Sequence, residues 1–174
     1  MKRIMVIGCC GAGKSTFAKQ LQAKTGLPLI HLDKEYWKPN WVETPSEMWK
    51  VKKQQLVQQE EWIIDGNYGG TMEMRMERAD TVIFLDRSRW LCLYRVIKRT
   101  LRDYGRARED MAEGCVERFD WKFLMYVFHF PELKRPDILK RLARLPSDKK
   151  IVTLSSDTSI ARFLKQLQPN NWKG

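Results

Sequence analysis

Long apolar runs are missing from this 174-residue chain. Stretches such as Ile4-Met5-Val6-Ile7 and Val82-Ile83-Phe84-Leu85 stop far short of the ~20 apolar residues a membrane-spanning helix needs. Lys2-Arg3 is followed by too short an apolar stretch for a secretory leader, so no membrane partner and a cytoplasmic location are expected. Cysteine is scarce and unpatterned. The four present (Cys9, Cys10, Cys92, Cys115) form no Cys-x-x-Cys pair, which excludes a zinc ribbon and argues for reduced thiols. Internal repeats, low-complexity segments and interdomain linkers are also lacking, so residues 1–174 read as a single domain. No helix-turn-helix, zinc finger or other dedicated nucleic-acid reader appears. An Asn-Lys-x-Asp guanine-reading sequence is absent, which disfavours a GTPase, and so is a transporter-ATPase signature.

What is present is ordinary globular composition, 43% hydrophobic and 30% charged, with a strong basic excess. The 32 Lys and Arg against 21 Asp and Glu give a formal charge of +11, which suits nucleotides, phosphorylated compounds or nucleic acid. Basic residues cluster from Arg87 to Arg108 and from Lys134 to Lys150. Solvated helix faces with interspersed acids account for most of them.

The most specific feature is Gly8-Cys9-Cys10-Gly11-Ala12-Gly13-Lys14-Ser15, a complete Gly-x-x-x-x-Gly-Lys-Ser phosphate-binding loop. It starts where the apolar run Ile4 to Ile7 ends and runs into Thr16-Phe17-Ala18-Lys19-Gln20-Leu21, a helical pattern. A strand feeding such a turn aims backbone N–H groups and a helix N-terminus at one anion. The glycines allow close approach or positive φ. Lys14 is placed to reach the β- and γ-phosphates, and Ser15 to ligate magnesium. Residues Gly8 to Thr16 therefore form the expected ATP site. Nearness to the helix end also suggests lowered pKa values for the Cys9 and Cys10 thiols.

Strand and helix patterns alternate along the rest of the chain, which calls for an α/β fold with a parallel sheet. Strands are expected at about 3–7, 29–32, 62–64, 81–85 and 151–154. The first helix should end near Lys24, before Gly26 and Pro28. Thr44-Pro45-Ser46-Glu47 reads as a capping box with Thr44 as N-cap, opening a helix to about Gln59. A short helix is expected over Thr71–Arg78. After the fourth strand comes a basic amphipathic helix whose Trp90, Leu91, Tyr94, Ile97 and Leu101 share one face, expected to be buried. Gly105 interrupts it. Helical patterns resume from Cys115 to Phe128 and again, past Pro131 and Pro136, to Leu145. A last helix should turn Ile160, Phe163, Leu164 and Leu167 inward.

Ligands of an open parallel sheet collect at the carboxyl ends of its strands. The phosphate loop, Asp33, Asp65, Asp86 and Ser155-Ser156-Asp157 all fall there. Asp65 and Asp86 both follow apolar strands, as a magnesium-facing carboxylate would. For Asp86 a structural cap is an equal alternative, whereas Gly66 and the Gly-rich loop favour Asp65. The aromatic residues Tyr36, Trp37, Trp41 and Tyr68 suit either stacking on an acceptor or shielding of the groove.

The ordered motifs resemble the small P-loop kinases of the adenylate and shikimate kinase type. They comprise Gly8 to Ser15, His31-Leu32-Asp33, Ile63-Ile64-Asp65-Gly66, Val82 to Asp86, and Arg95, Arg99 and Arg102. Over nearly the whole chain the similarity extends to the bacterial DNA topology modulation proteins. It is carried by Asp65-Gly66-Asn67-Tyr68, Trp90-Leu91-Cys92-Leu93-Tyr94-Arg95 and Glu117-Arg118-Phe119-Asp120. The chain departs from adenylate kinases after Gly66, with Asn67-Tyr68-Gly69 in place of Phe-Pro-Arg, and it lacks their lid signature. The resemblance implies a three-layer sandwich with strand order 2-3-1-4-5 and a helical lid-like insertion at about 87–147. It implies ATP and Mg2+ as cofactors and γ-phosphoryl transfer to a small acceptor. Lys14, Asp33, Arg95 and Arg99 are then the catalytic candidates. Asp33, Trp37, Gly66, Asn67, Tyr68 and Arg75 are the acceptor-site candidates, and Ser15 and Asp65 the metal ligands. The family name leaves a second reading, a nucleotide-dependent DNA-binding protein.

Overall fold

The structure, a computed structural model, describes residues 1–167. Strand β1 (Arg3–Gly8) enters the glycine-rich turn and helix α1 (Lys14–Thr25) leaves it. Next come β2 (Leu29–His31), the short helix α2 (Leu32–Tyr36), and an antiparallel hairpin of β3 (Trp37–Lys38) and β4 (Val42–Glu43). Helix α3 (Ser46–Gln58), strand β5 (Trp62–Asp65), helix α4 (Gly69–Arg78) and strand β6 (Thr81–Leu85) follow. Three helices, α5 (Arg89–Arg102), α6 (Trp121–Leu133) and α7 (Arg135–Leu142), then intervene before β7 (Lys150–Leu154) and α8 (Asp157–Gln166).

Five strands form one all-parallel sheet in the order β2-β5-β1-β6-β7, which is 2-3-1-4-5 when these strands are numbered among themselves. The three central strands have helices on both faces, so their side chains are buried without alternation, from Ile4 to Ile7, Trp62 to Ile64 and Val82 to Leu85. That is why they read as unbroken apolar runs. At the edge, β7 leaves Ile151 exposed. The register sets Asp65 beside Val6 on one side and His31 on the other, which brings the strand ends together.

Helix α1 ends as the sequence indicates: Gly26 takes a φ of 73° and donates its amide to the Gln22 carbonyl at 2.8 Å. Three local expectations are corrected. Thr44 does not cap α3. Its hydroxyl and its amide both donate to the Tyr36 carbonyl, which fastens the hairpin, and Pro45 is left as the N-cap. Helix α6 starts at Trp121 rather than near Cys115, because Asp120 caps it by accepting from the Phe123 amide at 3.0 Å. Residues 104–117 form paired loop strands instead, joined at Tyr104–Glu117 and Ala107–Val116. Helix α6 also continues through Pro131. Proline lacks the N–H that would bond the Val127 carbonyl, and that carbonyl accepts from the Cys9 thiol instead, at 3.8 Å.

The third correction concerns α5. Its buried face is Cys92, Val96 and Thr100, while Trp90, Tyr94, Ile97 and Leu101 all point to solvent. The reason lies in the glycine-rich turn. Gly11 (φ 82°) packs so tightly under α5 that an added Cβ would sit 2.4 Å from the Cys92 carbonyl oxygen. Only small side chains fit such an approach. Gly11→Ala is therefore expected to lift α5 from the loop and lower stability by about 2 kcal/mol or more, as overpacking and positive φ combine. Urea unfolding of the variant measures this.

Candidate active site

The loop between β1 and α1 is shaped by its glycines: Gly8, Gly11 and Gly13 have φ values of 148°, 82° and 95°. It is held open from the side by the loop after β5. The Gly8 amide donates to Asn67 Oδ1 at 3.0 Å, and Asn67 Nδ2 donates back to the Gly8 carbonyl. Arg75 locks the same β5–α4 loop from beneath. It is fully buried, donating from Nη1 to the Gly66 carbonyl (2.8 Å), from Nη2 to the Tyr68 carbonyl (3.0 Å) and from Nε to Thr71 Oγ1 (2.9 Å). Burial lowers its pKa to about 9, which still leaves it charged at neutral pH.

At the head of α1, Ser15 Oγ donates to Asp65 Oδ2 at 2.8 Å, and His31 Nδ1 lies 3.0 Å from the same oxygen. Asp65 is 5% exposed, and its other oxygen, Oδ1, is buried without a partner. Asp110, from the insertion, lies near Ser15 and His31. Burial alone would raise the Asp110 pKa, but Arg108, Ser15 and His31 outweigh it and hold the group below the usual range. The hydroxyl of Ser15, the free Oδ1 of Asp65 and this further carboxylate are hard oxygen donors of the kind magnesium takes. Among the described residues no three His, Cys, Asp or Glu side chains cluster as a cage. An ion here would depend on phosphate oxygens to complete its shell, as magnesium does on a nucleotide.

Lys14 folds back in this state, donating from Nζ to the Cys9 carbonyl at 3.1 Å. Burial alone would lower its pKa, yet the surrounding Cys10, Asp65 and Asp33 reverse the shift and hold it above the normal lysine value. Beside Lys14 opens a cavity of about 350 Å³. Asp33, Tyr68, Gly66 and Asn67 line it, Met72, Tyr126 and Phe130 supply apolar surface, and Lys134 and Asp137 add charge. Asp33 faces the cavity, but protein atoms around it push its pKa above the ordinary carboxylate range, with Asp65 adding to the shift and Lys14 opposing it. The Tyr68 hydroxyl lies in hydrogen-bonding reach of Asp33.

Several expected site residues sit elsewhere. Arg75 does not line the cavity and spends its donors on the Gly66–Thr71 segment, so it cannot hold an anionic acceptor. Trp37 is also outside the cavity. It packs on Tyr36 and Trp41 at 5.0 and 5.4 Å between ring centroids, and with Trp41 against Met111, Ala112 and Cys115 of the insertion. Asn67 touches the cavity, but its amide is committed to Gly8. Thr16 faces solvent. Asp86 is an ion-pair partner, accepting from Arg135 Nε at 2.9 Å and Nη2 at 2.8 Å. The Cys9 and Cys10 thiols are shifted upward, not downward. Cys9 is hydrogen-bonded to Cys92 and desolvated, and burial dominates at Cys10.

The insertion arginines divide. Arg102 makes a surface pair with Asp103. Arg95 grips Asp157 at 3.2 Å, with Nη1 3.5 Å from where a Gly13 Cβ would stand. Arg99 and Arg108 converge on Glu117 Oε1, at 3.2 and 2.9 Å. Glu117 is itself buried and within 3.4 Å of the Thr100 hydroxyl. The sequence reading missed His31, Asp110, Glu117, Tyr126, Phe130 and Lys134 as site residues. Of these only His31, at the end of an apolar strand and beside Asp33, carried a local signal.

No family model and no curated protein matches the sequence. Solved structures do match the fold. A shikimate kinase from Acinetobacter baumannii in complex with shikimate aligns over 96% of this chain and 90% of its own, at TM-score 0.57 and 16% identity. A deoxyadenosine kinase from M. mycoides aligns over 94% and 97% (TM-score 0.52, 16% identity). A sugar kinase from Janibacter sp. HTCC2649 aligns over 97% and 96% (TM-score 0.50, 16% identity). The chain has a P-loop kinase fold. Arg75, within that fold, is a scaffold for the β5–α4 loop. Arg75→Met should cost about 3 kcal/mol by stranding two buried carbonyls, measured by urea unfolding at neutral pH. Bound nucleotide should restore part of the loss.

Proposed function

We propose that the chain is a magnesium- and ATP-dependent phosphotransferase acting on a hydroxyl group of a small ring compound. The observation that carries this reading is the cavity running from Lys14 past Asp33 to an aromatic wall of Tyr126 and Phe130. A phosphate-binding turn alone would serve any nucleotide-binding protein. A concave pocket beside it, lined by carboxylate and aromatic side chains, is what a second, non-nucleotide substrate needs. Flat aromatic surface suits the face of a sugar, nucleoside or cyclohexene ring.

In this reading the loop amides and Lys14 hold the β- and γ-phosphates, with Lys14 unfolding from the Cys9 carbonyl to reach them. Ser15 and Asp65 hold the magnesium ion, which when bound neutralises phosphate charge. Asp33 accepts the acceptor hydroxyl's proton as its oxygen bonds to the γ-phosphorus and the bond to the β–γ bridging oxygen breaks, releasing ADP. Arg99 and Arg108 supply positive charge above the phosphates, and Glu117 sets their position. Arg95, bound to Asp157, is assigned to orientation of the nucleotide-side loop rather than to the transfer itself.

The second reading, a nucleotide-dependent DNA-binding protein, rests on the family resemblance and the net charge; of the basic residues, Arg89, Arg95, Arg99, Arg102, Arg108, Arg135 and Arg141 are paired with acids of the same chain.

Two measurements test the assignment. ATP with magnesium should raise the melting temperature of the wild-type chain, and Lys14→Ala should abolish that shift while retaining the fold; a shift that survives refutes the donor site. ADP release, followed while nucleosides, sugars and shikimate-type acids are added in turn, should appear with one of these classes. Asp33→Asn should reduce that turnover at least about 100-fold.

A further inference from the structure

Strand β2 stops at His31, and the sheet register sets that residue directly beside Asp65 at the end of β5. Neighbours in register on parallel strands point their side chains to the same face. The imidazole and the carboxylate therefore meet, with Nδ1 3.0 Å from Oδ2. Ser15 Oγ donates to the same oxygen at 2.8 Å. A carboxylate oxygen offers only lone pairs, so the ring nitrogen is the donor of the second bond. Among the described residues Asp65 thus has two donors on one oxygen and none on the other, because its Oδ1 is buried without a partner. An acceptor stranded in this way costs free energy that a cation would recover.

The two oxygens of a carboxylate exchange places by rotation about Cβ–Cγ, so an unrestrained Asp presents neither in a fixed direction. Two donors on Oδ2 remove that freedom. We propose that His31 is a positioning residue for the magnesium–nucleotide site: its Nδ1–H holds Asp65 Oδ2 and thereby keeps Oδ1 for the ion. This role rests on the proposed donor site, in which Ser15 and Asp65 hold magnesium. Ser15 cannot do the holding alone, since its own oxygen is then a ligand. His31 is not one, and its ring is free to stay on Oδ2 whether or not the ion is bound. Nor does His31 line the cavity, so it has no part in gripping the acceptor. Partners of this kind, one bond removed from the metal, commonly carry on the order of 10-fold or more of the metal affinity.

Calorimetric titration of the full chain with a nonhydrolysable ATP analogue, once with magnesium and once with EDTA, isolates what the metal adds. The wild-type chain is expected to bind the analogue more tightly with magnesium. His31→Phe keeps a ring but removes the donor, and should cut that gain on the order of 10-fold while leaving the metal-free affinity unchanged. His31→Leu removes the donor with a smaller side chain and should do the same. His31→Asn sets an amide N–H as many bonds from Cα as Nδ1 is, and should restore the gain. A histidine with only a structural role would move both affinities together or neither. A magnesium gain undiminished in His31→Phe or His31→Leu overturns the proposal and leaves the donor site standing, and so does a loss that His31→Asn fails to restore. A wild-type chain that does not bind the analogue, or gains nothing from magnesium, refutes the donor site and this role with it.

Discussion

A phosphate-binding turn must be held open when its anion is absent, and the rest of this molecule is arranged around that constraint. Its amides converge on one point, so without an anion they have no mutual partner and the turn has every reason to collapse. Two devices outside the motif prevent this. The Asn67 amide pairs with both backbone groups of Gly8, as a strand neighbour would. Arg75 then fixes the carbonyls on either side of Asn67, those of Gly66 and Tyr68. The β1–α1 turn and the β5–α4 loop thus form one rigid unit, built on a buried cation that never meets substrate. From above, the Gly11 contact with the Cys92 backbone completes the clamp.

The same unit sets the electrostatics of the groove. Lys14 is desolvated but lies among Asp33, Asp65 and the loop thiols, and that company keeps its ammonium charged. Asp33 bears the opposite burden: Lys14 stabilises its charge less than burial and Asp65 oppose it. Lys14 and Asp33 line one cavity, so the two shifts act on the same space.

The fold was legible because its signals are local. Buried parallel strands appear as unbroken apolar runs, glycines mark the turn, and Gly26 with Pro28 stops α1. The donor half of the site was legible for the same reason, since Gly8 to Ser15 are contiguous. The acceptor half was not. Its walls come from α2, α4, α6 and α7, and nothing near Phe130 or Lys134 in the sequence shows that they face Asp33. Arg75 was misread because an exposed and a buried arginine look alike in one dimension, and the carbonyls that capture it lie on a preceding loop. The stripe on α5 was misread for a related reason. Hydrophobic periodicity marks an apolar face, but not whether the rest of the chain packs against it. Cys92, a weaker apolar signal, takes the inner face where the α5 backbone lies against Gly11.

Glu117 shows how the insertion and the loop come to act together. A carboxylate this buried is costly unless it is paired, and it is shared by Arg99 from α5 and Arg108 from the following loop. Those two guanidinium groups repel each other, so neither would stay near the phosphate turn without the acid between them. Neither Nε forms a well-aligned hydrogen bond with it, which leaves the pair held by charge rather than by directional bonds. An arrangement of that kind can rotate toward an incoming phosphate without first breaking a rigid fork. The segment carrying Arg108 is meanwhile fixed at its far side, where Trp41 donates to the Val116 carbonyl at 3.1 Å and Lys19 meets Glu109 at 2.7 Å. The arginines are thus positioned by the fold itself, and the entropy of gathering them is expended in folding.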